Sequence, residues 1–353
     1  MTATHAIAGT LLHAGVRTVA TRHGDFTVHV CRDLTRHTYL LVIARGDPTT
    51  AEPLLTRVHS SCVTSETFGA CDCDCTEQLD AALGAIAAAG RGVVFYLDQE
   101  GRGAGFAAKV RDRMLVQASY GRLDTFEAYA QMGLAADLRS YEAVAAARTL
   151  LGITAPLTLL TNNPEKLAML GTLGVPLGDS VGLALPPSPF NRHYLTAKAE
   201  AGHQFPKSIG VQAEPPEPVD PIVPAGLVEA TSLVRIGAYW LPVRVHDDAA
   251  VAAHWFRLHA YADLAGGRER VVLTYGDQTA TPVVLRVQRE SLLERLPAQR
   301  PGIEKQRWSA TVHAFLAHGS GVAIMIDDAR GATMLGPGMP AATVLDPTPD
   351  ATT

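Results

Sequence analysis

Residues 57–79 read RVHSSCVTSETFGACDCDCTEQL and hold four of the five cysteines in the chain. Ten residues separate Cys62 from Cys73, Cys75 follows two places on, Cys71 stands just ahead, and Asp72 and Asp74 alternate with the thiols. Three thiolates converging from a loop and a C-x-C turn suit a soft, tetrahedral ion such as zinc, at Zn–S distances of roughly 2.3 Å. If Cys71 stays out, the fourth position is open to water, as in a catalytic site; if Cys71 joins, the site is closed and structural.

Around this loop lies a chain of 353 residues, 47% hydrophobic, long enough for two domains. No apolar run reaches the roughly 18 residues of a membrane span, and the N-terminus lacks the pattern of a secretory signal. An odd number of cysteines, four of the five bunched in one loop, speaks against a disulfide framework and for a reducing compartment, so a cytoplasmic location is expected. A net charge of −5 gives no basic footprint for nucleic acid. An anionic substrate must meet local arginines and lysines.

Upstream, residues 1–21 are weakly patterned and read as a helix or a frayed arm. Residues 24–30 and 39–44 alternate or run apolar, as strands do, and residues 54–59 form a further strand that delivers Arg57 and His59 to the cysteine loop. Downstream, EQLDAALGAIAAA over residues 77–89 is helical and stops at Gly90 and Gly92. The buried strand VVFYL, residues 93–97, runs into DQEGRGAG, where glycines let backbone N–H groups approach a phosphate and Arg102 adds a fork of donors. Helices follow over residues 109–116, 125–132 and 141–151. A short strand at 157–160 then opens into TNNPEK. Strands alternating with helices predict an α/β (α+β) layered domain with a mixed sheet. Five prolines between Pro215 and Pro224 mark a stiff linker over residues 213–225, and residues 346–353 read as a loose tail.

The second half, residues 226–345, reads as a smaller degenerate α/β repeat of the first. LRVQ at 285–288 lies 229 residues after TRVH at 56–59, and HGSGVAIMIDDARG at 318–331 lies at the same offset from AGRGVVFYLDQEGR at 89–102. Gly276-Asp277 matches Gly46-Asp47 after a one-residue shift, and the strand around residues 237–245 is expected to match residues 24–30. The chemistry is missing from the copy. Cys62, Cys73, Cys75 and Glu100 become Ser291, Gly302, Glu304 and Ala329.

With RVHSSC, CDC followed by Gln78, QEGRG, DTFEA, GLAADLR, LLTNNPEK and NRHYLTAKAEAGH in one order, the first half resembles the GTP cyclohydrolase II family over about residues 22–205, within a catalytic domain expected over residues 22–212. That family opens the guanine ring of GTP at the start of riboflavin biosynthesis. The resemblance implies zinc on Cys62, Cys73 and Cys75, supplying hydroxide for attack on C8 of guanine, with magnesium accompanying the triphosphate. It implies substrate contacts from Arg57, Val58, His59, Ser60, Ser61, Gln78, Glu100, Gly101, Arg102, Thr125, Thr161 and Lys166. It casts Asp137 as proton acceptor and Arg139 as nucleophile toward the α-phosphate, with pyrophosphate leaving. A guanidinium keeps its proton, so stabilising phosphoryl charge is the better role for Arg139. A homodimer is also implied.

One departure bears on the product. After Lys109-Val-Arg111 the family places a tyrosine, whereas this chain reads Asp112-Arg113-Met114, with Tyr120 a candidate replacement. Release of formate needs a second water attack assisted by an acid, and without that acid a still formylated pyrimidine nucleotide is the expected product.

Overall fold

The computed structural model of the chain describes residues 7–183, 185–205, 210–222, 232–245, 252–265, 268–279, 282–289, 292–297 and 303–326. The first half is built on an eight-stranded sheet: β1 Ile7–Ala8, β2 Leu11–Thr21, β3 Gly24–Asp33, β4 Thr38–Arg45, β5 Leu54–Ser60, β6 Gly92–Leu97, β7 Leu157–Leu160 and β8 Leu177–Val181. Their order is β1-β2-β3-β4-β6-β5-β7-β8. β1 to β4 and the β4–β6 pair are antiparallel, while β6, β5, β7 and β8 run parallel. Crossovers between the parallel strands use helices, as they must. Those of the first half are α1 Val63–Glu66, α2 Cys75–Ala89, α3 Phe106–Ala118, α4 Thr125–Gln131, α5 Glu142–Leu150, α6 Pro164–Thr172 and α7 Arg192–Glu200.

Local chemistry sets these boundaries. β6 is buried at every position, as a central strand covered on both faces should be. Its one face joins Leu40, Val42 and Val58 under α5 and α6; the other joins Val28, Leu41 and Ile43 under α2. α2 ends at Gly90, whose φ of 74° is the left-handed cap that glycine adopts without strain. α4 opens with a reciprocal capping box between Asp124 and Glu127.

The second half is a five-stranded sheet, with β9 Leu233–Val243, β10 His254–Asp263, β11 Arg268–Gly276, β12 Val284–Arg289 and β13 Ser320–Ile326, plus the helix α8 Ile303–His318. Read from β9, its order is β9-β10-β11-β13-β12, three antiparallel pairs and then a parallel one. That is the arrangement of β2-β3-β4-β6-β5. The register agrees with the 229-residue offset: Thr56 pairs with Val93, and Leu285 with Val322. The one-residue shift also reappears, for Arg45 pairs with Gly92 while Tyr275 pairs with Gly321.

Two sequence expectations are corrected. Residues 11–21 are neither a helix nor a frayed arm but a full strand, hydrogen-bonded along β3. Only one of its faces is buried, so its apolar signal is weak. Residues 24–30 lie in β3, whose counterpart is β10 rather than the stretch around 237–245; β9 takes the place of β2. Similar alternation in adjacent antiparallel strands hides which one is matched. Ser291, Gly302, Ala329 and residues 346–353 lie outside the described residues, as does the side chain of Glu304.

The two halves share one core. Val110 and Met114 of α3 pack with Tyr239, Leu241 and Phe256 of the second sheet and Trp308 of α8. Gln117 locks this contact, donating to Trp240 O at 2.7 Å and accepting from Trp240 N at 2.8 Å.

Candidate active site

The parallel strands β5, β6 and β7 point the same way, so their carboxyl ends open on one side of the sheet. Ligands bind at such ends in α/β folds. Ser61 and Cys62 follow β5, Asp98 to Arg102 follow β6, and Thr161 to Asn163 follow β7. These three loops, with α3, α4 and α7, enclose one cleft.

In this cleft the sulfurs of Cys62, Cys73 and Cys75 lie within 4.8 Å of one another. Cys62 and Cys73 Sγ are 3.6 Å apart. Lys109 Nζ donates to Cys62 Sγ at 3.1 Å and to Glu100 Oε1 at 2.9 Å. Hydrogen bonds from Cys73 and Cys75, aided by the Lys109 charge, hold the Cys62 thiol well below its ordinary value against the cost of burial. This donor set fits a thiophilic ion with one position left for a fourth ligand. Cys71 stands outside the cluster. Burial pushes its thiol up to about 12, and its Sγ donates to Pro242 O at 3.4 Å. Of the two arrangements left open by the sequence, the structure has the three-thiol one.

The same cleft gathers cations. Arg57 is buried, donating to Leu160 O at 2.8 Å and to Gln78 Oε1 at 2.5 Å. Gln78 in turn donates to Asp74 Oδ2 at 2.5 Å, and Lys198 reaches Asp74 at 3.2 Å. Lys166 Nζ donates to Val58 O at 2.8 Å. Burial first, and then the neighbouring Arg57 and Arg139, push Lys166 well below the usual lysine range. Arg139 is clamped by Asp137, its Nε donating to both carboxylate oxygens at 2.9 and 3.0 Å. Burial favours a neutral Asp137, but the bonds and charge of Arg139 outweigh it and hold the carboxyl below its usual range. Conversely, Asp137 keeps Arg139 protonated although burial opposes it. α6 opens at Asn163, whose side chain accepts from Glu165 N, with Pro164 in the first turn. Asn162 and Asn163, at the start of α6, line the same cleft.

Also in the cleft, Arg102 adopts φ 54°, a left-handed conformation that is uncommon outside glycine, and lays its guanidinium 3.9 Å over the Phe126 ring. Thr125 donates to Asp112 at 3.0 Å. Arg113 pairs with Asp72 at 3.4 Å and sits 4.4 Å over the Tyr194 ring.

The cleft thus brings together Arg57, His59, Ser60, Ser61, Cys62, Cys73, Cys75, Gln78, Glu100, Gly101, Arg102, Thr125, Arg139, Thr161 and Lys166. Two expected residues are placed differently. The Val58 side chain is buried in the core and offers only its carbonyl, to Lys166. Asp137 stands behind Arg139 rather than among the cleft-lining residues. Tyr120, a candidate replacement acid, is 72% exposed and outside the cleft. Lys109, Tyr194 and Lys198 line the cleft and were missed by reasoning from the sequence. The spacing of Tyr194 and Lys198, one helical turn apart on α7, could have flagged a shared face.

Fold and cleft together define a layered α/β protein whose cleft gathers three clustered thiols and several cations. Comparison with known proteins agrees. The profile of GTP cyclohydrolase II matches residues 13–181 and again residues 242–340, more than half of the chain. "GTP cyclohydrolase-2" of Pseudomonas putida (strain W619) is 40% identical over 186 residues, covering 52% of this chain and 89% of the relative. The protein of the same name from Cronobacter sakazakii is 41% identical over 181 residues, covering 51% and 90%. "Riboflavin biosynthesis protein RibBA" of Synechocystis is 39% identical over 188 residues, which is 52% of this chain and 33% of that protein. The chain therefore spans only about a third of that longer relative. It belongs to the GTP cyclohydrolase II family, and the second matched segment falls on the degenerate repeat.

Proposed function

We propose that this protein hydrolytically opens the imidazole ring of GTP, with loss of pyrophosphate, to give a pyrimidine ribonucleotide. The observation that carries this reading is one cleft that gathers three clustered thiols together with Arg57, Arg139, Lys166 and Lys198. A purine nucleoside triphosphate offers a base for a thiol-held metal and phosphates for the cations. Cys62, Cys73 and Cys75 would hold zinc, which when bound supplies a water acidified to near neutral pH. Lys109 stabilises the thiolate of Cys62, and Glu100 keeps Lys109 in place through their 2.9 Å contact. Lys166 and Arg57 take the triphosphate, accompanied by magnesium. Arg139, kept protonated and oriented by Asp137, stabilises charge on the phosphoryl group that parts from pyrophosphate. The second half is non-catalytic in this reading, since all five cysteines fall in the first. A cytoplasmic homodimer is proposed on family resemblance.

A finer reading concerns the product. Where the family is expected to place its tyrosine this chain reads Asp112-Arg113-Met114, and Arg113 is spent on Asp72 and the Tyr194 ring. A guanidinium is a poor proton donor, so we expect the formyl group to be retained unless Tyr194, whose hydroxyl burial holds above its usual value, delivers the proton. Incubation with GTP, followed by mass spectrometry and a formate assay, tests both. Early stoichiometric formate contradicts the finer reading alone; an intact guanine ring contradicts the whole.

A further inference from the structure

Among the described residues, the second half reaches the network behind the cleft at Arg295. The segment Leu292 to Leu296 leaves its own sheet, and Leu292, Leu293 and Leu296 are buried among Leu79, Leu83 and Tyr96 of the first half. This places Arg295, 5% exposed, inside the first half. Its Nη1 donates to Tyr96 Oη at 3.4 Å and lies 3.6 Å from Asp98 Oδ1. Tyr96 donates to Glu66, and Glu66 Oε1 is 2.8 Å from His59 Nε2. Asp98 accepts from Ser61 Oγ at 3.4 Å. His59 and Ser61 both line the cleft that also holds Cys62. At the 229-residue offset, Arg295 is the counterpart of Glu66 itself, so the copy carries the opposite charge at the position it turns toward the original.

We propose that Arg295 is a positioning residue for the cleft, acting through Tyr96 and Glu66 on His59 and through Asp98 on Ser61. The second half is then an internal subunit that completes the site. The proposal rests on the reading of the cleft given above. Glu66 is fully buried, and a buried carboxylate needs compensation from hydrogen bonds and positive charge. Burial holds His59 below the usual imidazole range, so His59 faces Glu66 as a neutral ring and Arg295 brings the positive charge to this network. His59 also stacks on Tyr96, with ring centroids 5.5 Å apart, so a shift of Tyr96 carries the imidazole with it. Lys305 of α8 anchors the arrangement from the far side, donating to Arg295 O at 3.2 Å and Leu296 O at 3.3 Å. Cleft groups held by such a supporting network lose rate steeply when displaced.

The test uses the full-length, zinc-loaded chain and the variants Arg295→Met, Arg295→Lys, Tyr96→Phe and the double variant Arg295→Met/Tyr96→Phe. Arg295→Met is expected to lower kcat for GTP by about ten- to hundredfold. KM should stay within about twofold, since the triphosphate contacts are untouched. Arg295→Lys should recover part of the loss, and the double variant should be no slower than the slower single one, because the Tyr96 route is one of those that Arg295 already holds. Unchanged kcat in folded Arg295→Met, or losses that multiply in the double variant, would overturn the proposal. If Arg295→Met does not fold, Arg295→Lys and Tyr96→Phe decide it by the same split of kcat from KM. If the unmodified chain leaves GTP intact, the proposed function fails instead, and positioning is read without turnover. In histidine-labelled protein the ring-nitrogen resonances of His59 should then move in the Arg295 variants, and resonances that stay in place would overturn it.

Discussion

Lys109 Nζ lies 3.1 Å from the sulfur of Cys62, close enough to donate to it, and both groups are buried. The ammonium is itself held above the usual lysine range by Cys62 and Glu100, although burial opposes it. The pair therefore pre-sets a thiolate before any ion arrives. Lys109→Met should move alkylation of Cys62 in metal-free protein to higher pH and weaken zinc binding. The alkylation profile, followed by peptide mass spectrometry, checks this; an unmoved profile counts against the pairing.

One zinc per chain is expected, and it should be lost in Cys73→Ser/Cys75→Ser. Cys71→Ser should leave metal content unchanged, because Cys71 is turned to Pro242 O. That sulfur lies where the halves meet: Cys71 N donates to Pro242 O at 3.0 Å and Arg244 N to Gly69 O at 2.9 Å. The variant should cost some stability while sparing the metal. Elemental analysis beside thermal melting separates the two effects.

Gln78 spends both ends of its amide inside the protein, on Arg57 and Asp74. Gln78→Leu leaves a buried arginine and a buried carboxylate each short of a partner, at a cost of about 1–3 kcal/mol per group. Denaturant unfolding of the metal-loaded chain measures this. A loss of nucleotide affinity without a loss of stability would instead assign Gln78 to the base edge.

Nucleotide binding should take up protons. Lys166 is held well below its usual range by burial, then by Arg57 and Arg139. A triphosphate placed beside it favours the charged form, so its value rises on binding and the complex carries more protons than the free protein. In the absence of ligand the same depression means that stability is lost as pH falls through the folded-state value. Calorimetry in buffers of different ionisation enthalpy should show uptake, and Lys166→Met should abolish it.

Much of this molecule is legible in its sequence, for uneven reasons. The cysteine loop, QEGRG and TNNPEK are contiguous, and each follows a strand whose apolar run is plain, so their convergence follows from parallel strands. The repeat is legible through LRVQ and HGSGVAIMIDDARG because a fixed offset survives even where the chemistry does not. β2 and β8 are not legible in this way. β2 has one solvent-facing side, and β8, LGDSV, is almost wholly exposed. The burial of Tyr194 and Lys198 against Arg113 and Asp74 depends on where α7 packs, which periodicity does not report. Least legible is the Arg295 contact, which joins positions more than two hundred residues apart to His59.

The most direct test of the account is to incubate the zinc-loaded full chain with GTP and magnesium, following ultraviolet absorbance while products are weighed by mass spectrometry. The account predicts loss of the purine spectrum, release of pyrophosphate and a ring-opened pyrimidine ribonucleotide, all absent from Cys73→Ser/Cys75→Ser. GTP left unchanged, or cut to GDP or GMP with its guanine ring intact, would contradict it.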